Sequence, residues 1–141
     1  MPLMNTRLRV TLVIPVALAA LALLVAGCGG SSKPAYCSNV SDLEGSIAEI
    51  KGIELDSGAI STLQADLEKV KTNADAVVSS AKQDFPSETS ALKSSVSSLS
   101  TAVNQLPPTP TPQQLLALTS GIESTVTAAK ELSSATESAC E

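Results

Sequence analysis

From residue 41 to the end of the chain, apolar side chains return every three or four positions, and nowhere do they alternate with polar ones over the length of a strand. The pattern predicts an all-α domain. A first helix starts at Ser41, where Ser41-x-x-Glu44 has the form of a capping box, runs through Leu43, Ile47 and Ile50, and stops near Gly52. A second follows Asp56-Ser57-Gly58 and carries Ile60, Leu63, Leu67, Val70, Ala74, Val77 and Ala81, until Pro86 drives Phe85 out of the helical region. Its other face holds Asp66, Glu68, Lys69, Lys71 and Asp75, spaced for i,i+3 and i,i+4 pairs. A third helix, roughly 87–105, repeats the rhythm with Leu92, Val96, Leu99 and Val103, and serines fill much of its outer face. Leu106-Pro107-Pro108-Thr109-Pro110 breaks the helix. Thr111-Pro112-Gln113-Gln114 restarts it with a threonine cap, proline at the first position and glutamine three after the cap. Leu115, Leu118, Ile122, Val126, Ala129 and Leu132 then form a stripe leading to Cys140.

Upstream, the pattern changes to one apolar run, Val10 to Ala26, interrupted only by Thr11 and Pro15. Arg7 and Arg9 precede it with no acidic residue among them, and small residues, Gly27-Cys28-Gly29-Gly30, follow it. A basic start, an apolar middle and a small-residue end describe a signal peptide. The run is short for a spanning helix, and its end suits cleavage better than the stop-transfer flank of an uncleaved anchor. Within this setting Val25-Ala26-Gly27-Cys28 resembles the lipobox of bacterial lipoproteins, an aliphatic residue and two small ones before a cysteine. The resemblance implies cleavage between Gly27 and Cys28 and a diacylglycerol on the Cys28 sulfur. It also implies attachment to the cell membrane at its extracytoplasmic face. Two acyl chains, at about 0.8 kcal/mol per buried CH₂, hold a protein stably where one does not. The expected organisation is a signal peptide over 1–27, a lipidated flexible tether over 28–36, rich in Gly and Ser, and a helical bundle over 37–141.

With Cys28 assigned to lipid, Cys37 and Cys140 remain as a pair in an exported chain, where disulfides persist. Their bridge closes a loop of about 100 residues, worth roughly 4.7 kcal/mol in the chain-entropy model. Tyr36 and Phe85 are the only aromatic residues, so the core rests on aliphatic side chains, and a crosslink compensates for the smaller area they bury. The bridge also selects a topology. Four helices in up-down-up-down order bring the start of the first and the end of the fourth to one pole, whereas three helices would separate the two cysteines. The fold expected is therefore a small antiparallel helical bundle, three long helices and one short N-terminal helix, closed by a Cys37–Cys140 disulfide. The short first helix spans only about 16 Å against about 40 Å for the second, so aligning the poles requires segment 37–41 to be extended.

Charge and composition narrow the chemistry. From Cys28 onward there are seven lysines, no arginine and fourteen acidic residues, a formal charge of about −7, which argues against a nucleic-acid partner. The chain has no histidine and no tryptophan, which removes His-based triads and His-containing metal sites, and no cofactor is expected. Acidic pairs suited to hydrolysis are conceivable, yet every acidic residue from Asp42 to Glu141 fits an exposed helix position or a cap. Nothing in the pattern suggests an enzyme. Thr109 and Thr111, within Pro107-Pro108-Thr109-Pro110-Thr111-Pro112, form a candidate glycosylation or partner-binding turn, with a plain helix connector as the alternative. The Ala- and Ser-rich surface of the third helix offers close approach to a partner helix. In composition and layout the chain resembles uncharacterised helical lipoproteins of high-GC Gram-positive bacteria. It departs from the murein lipoprotein, whose single uninterrupted helix ends in a lysine. The expectation is a non-enzymatic envelope protein-interaction or structural module. A small-ligand or lipid-binding bundle, with a cavity between alanine and valine faces, is the alternative.

Overall fold

A computed structural model of the protein describes residues 33–56 and 58–141. The signal run, the lipobox with Cys28, the tether up to residue 32, and Ser57 lie outside these described residues.

Helix α1 spans Ala35–Lys51 and starts directly after Pro34, which sits at the N-cap in an extended conformation. The Pro34 carbonyl accepts the first helical bond from the Cys37 amide at 3.0 Å. This corrects the start expected at Ser41. The apolar stripe extends backwards through Val40 to Tyr36 at the same spacing, and burial of Tyr36 outweighs any cap five residues later. Ser41 and Glu44 are instead mid-helix and exposed, and no capping box forms there. Segment 37–41 is accordingly helical, not extended. With 17 residues α1 remains the shortest helix, but at about 26 Å it reaches the pole without an extended lead. Ala35 and Tyr36, counted from composition with the tether, belong to its first turn.

Helix α2 spans Ile60–Ala81. Asp56 organises its entry, with Oδ1 accepting from the Gly58 and Ala59 amides at 2.8 and 2.9 Å. It stops where Pro86 requires, since Phe85 adopts φ −131° and ψ 62° as the N-cap of α3, Pro86–Asn104. Helix α4, Pro112–Cys140, carries the capping box read from the sequence, in which the Gln114 amide donates to Thr111 Oγ1 and the Thr111 amide donates to Gln114 Oε1.

Each helix packs on its two neighbours, α1 on α2, α2 on α3, α3 on α4 and α4 back on α1, with no diagonal pair among the described residues. This ring of antiparallel neighbours is the expected up-down-up-down bundle. Its interior is aliphatic: Leu43, Ile50, Leu63, Leu92, Leu99, Leu118 and Leu132 are fully buried. Four hydroxyl residues join them, Ser46, Thr89, Thr125 and Thr136, and each donates to a carbonyl three or four residues earlier in the chain. No buried side-chain nitrogen or oxygen among the described residues lacks a partner. Two asparagines stitch α1 to α2: Asn39 donates to the Ala76 carbonyl and Ser80 Oγ, and Asn73 to the Asp42 carbonyl and Ser46 Oγ.

Candidate functional site

The topology sorts the notable residues into two poles and one groove. At the first pole meet the start of α1, the 82–85 turn and the end of α4. Cys37 and Cys140, 103 positions apart, are bridged there with their Cα atoms 5.6 Å apart. Beside the bridge Tyr36 and Phe85 stack edge to face, ring centroids 5.6 Å apart, so both aromatic residues of the chain serve this pole. The Lys33 ammonium donates to the Cys140 carbonyl at 2.7 Å and closes off the C-terminal end of α4.

At the opposite pole lie the 52–59 and 105–111 connections. Ile53, Leu55, Leu106 and Leu115 fold back against the core, and Pro110 is buried. The turn thus separates the two threonines that the sequence grouped. Thr111 is held by its capping box, whereas Thr109 is exposed and carries no cap. One turn into α4, Leu116 is 69 % exposed, the one large apolar side chain among the described residues left in water.

No lysine and no carboxylate is buried among the described residues. Nor do three or more of their His, Cys, Asp or Glu side chains converge as a metal site would require. Lys69 is the centre of a small surface network, with its ammonium 2.9 Å from both Asp66 and Glu49. The hydrogen bonds it donates, to Asp66 first and Glu49 second, raise its pKa above the ordinary lysine value. The stabilisation from this pair is complete below that value and fades only as pH rises past it; solvent and salt screen it throughout.

Between α2 and α3 runs an open groove. Its broader part, of about 510 Å³, is lined by Val78, Lys82, Gln83, Pro86, Thr89, Ser90 and Lys93. It continues past Val78 and Lys93 into a narrower stretch of about 220 Å³ reaching Lys71 and Thr101. The core stripes missed these residues because they lie on the flanks of the two helices; the legible signal was the spacing of Lys71, Asp75, Val78 and Lys82, which places them on one face. A second cleft, between α1 and α4, is lined by Ser41, Glu44, Ser133 and Glu137 next to the disulfide.

Comparison with protein-family models, curated proteins and solved structures finds no match to this chain.

Proposed function

We propose that this protein is a bacterial lipoprotein, held at the extracytoplasmic face of the cell membrane by a diacylglycerol on Cys28. Its helical domain is a non-enzymatic protein-interaction or structural module of the envelope. The observation that carries this reading is the Cys37–Cys140 bridge at the pole where α1 begins. A disulfide of this kind persists in an oxidising compartment, which agrees with export. The bridge also lies nine residues after Cys28, near the start of the folded domain. Thr109 and Leu116 are exposed at the opposite pole of the bundle.

Intact-mass spectrometry of the protein purified from membranes of its own bacterium tests the reading. The expected mass begins at Cys28 and includes diacylglycerol, and Cys28→Ala yields an unlipidated precursor that retains residues 1–27. Alkylation at Cys37 and Cys140 is expected only after reduction. A full-length, unlipidated wild-type chain would remove the lipoprotein reading.

A further inference from the structure

Three of the seven lysines present in residues 33–141, namely Lys71, Lys82 and Lys93, line the single groove between α2 and α3. Among the described residues none of the three has a carboxylate within 4.0 Å, although Lys69, two positions from Lys71, is held by Glu49 and Asp66. Asp75 is the sole acidic residue lining the groove. A cationic strip with unpaired ammonium groups thus lies on a domain that carries fourteen acidic residues.

The groove's shape selects what fits it. Ala74 and Val96 are buried and Val78 half-buried beneath the lysines, so the floor is aliphatic and shallow. Small molecules bind where roughly 70–90 % of their surface is buried, and the broader part of this groove lies open to water while the narrower stretch offers only about 220 Å³. A polyanion answers to a continuous basic surface, which three lysines offset by Asp75 on an aliphatic floor do not supply. An α-helix laid between two antiparallel helices satisfies both features. Its side chains at i, i+4 and i+7 cover the floor while flanking acidic residues reach the lysines on either rim. Ser90, Ser97 and Ser100 along α3 are small enough to let its backbone approach. From Lys71 to Lys82 the strip measures about 16 Å, three turns of such a helix.

We infer that the α2–α3 groove docks an acidic amphipathic helix of a protein partner in the envelope. This deepens the interaction-module reading above and rests on it. In the full lipidated chain, in its own bacterium, a photoreactive benzoylphenylalanine is placed at Ser97 within the groove and, separately, at Leu116 on the distant pole. The expected result is a protein adduct at Ser97 whose crosslinked segment, mapped by mass spectrometry, is an acidic amphipathic helix. The triple reversal Lys71→Glu, Lys82→Glu, Lys93→Glu lowers its yield about tenfold, and Glu→Lys changes in the mapped segment restore it. All three lysines are exposed, so helix content and the disulfide are expected to be intact in that variant. An adduct to lipid, to wall polymer or to a segment without acidic residues overturns the inference, as does a yield indifferent to charge reversal. Adducts at Leu116 with none at Ser97 remove the groove and leave the interaction module standing. Adducts at neither site likewise overturn the groove, and the intact-mass measurement then decides the lipoprotein reading separately.

Discussion

Gly45 stands in the middle of α1 with an ordinary helical backbone, and a Cβ added there meets no atom within 4 Å. A glycine with nothing to avoid only weakens the helix, because it loses more backbone freedom on folding than alanine does. Gly45→Ala is expected to stabilise the domain by about 0.5–1 kcal/mol, read as a rise in the urea midpoint with unchanged slope. Gly121 is a glycine of the opposite kind. There a Cβ comes to 3.1 Å of Leu99 Cδ1, and Leu99 is buried between α3 and α4 with little room to yield. Alanine at 121 therefore sets a helix gain against a packing cost, and only the substitution at 45 has an unopposed sign. The same reasoning separates Thr109 from Thr111, since one hydroxyl is committed to a cap and the other is not.

At the scale of elements, the two capping boxes written in the sequence had different fates. Thr111 closes its box because Pro107, Pro108 and Pro110 prevent any helix from continuing through it, so the chain must start afresh there. Ser41-x-x-Glu44 has no such break behind it, and the stripe of Val40 and Tyr36 carries α1 back to Pro34. Thr111→Ala is expected to cost about 1 kcal/mol, whereas Ser41→Ala, at an exposed mid-helix site, should leave the denaturant midpoint unchanged or slightly raised. A comparable loss from Ser41→Ala would mean that the first helix begins later than Ala35. Proline and apolar period made three of the four helices legible to within a few residues, because each has a hard stop or start. The buried threonines were not legible. Thr125 lies inside where Val126 was expected to form the stripe, and it tolerates burial because its hydroxyl bonds the Gly121 carbonyl of its own helix, which letter-by-letter polarity does not reveal. The groove escaped notice for a related reason: lysines on the flank of a helix look the same in sequence whether they face a neighbour or open solvent.

For the molecule as a whole, the decisive quantity is how much of its stability is covalent. The ring of four helices encloses leucine, isoleucine, valine and alanine, with its two aromatic side chains confined to one pole. Domains of this size have about 5–15 kcal/mol in hand, and an aliphatic core gives no reason to place this one near the top. A crosslink between positions 103 apart reduces the entropy of the unfolded chain by roughly 4–5 kcal/mol in the loop-closure picture, while measured losses for native bridges are about 2–5 kcal/mol. Helix α1 bears the consequence, because its first turn is otherwise held by the burial of Tyr36 against Phe85 and by the Lys33 bond to Cys140. In the double variant Cys37→Ser, Cys140→Ser, the thermal midpoint is expected to fall by about 10–15 °C. Amides in the first turn of α1 should lose hydrogen-exchange protection before those of α2 and α3, since the ties from Asn39 to α2 and from Asn73 back to Asp42 and Ser46 hold α1 only from its second turn onward. If the midpoint holds and all four helices exchange together, packing alone secures the pole, and the bridge no longer explains how an aliphatic bundle stays closed.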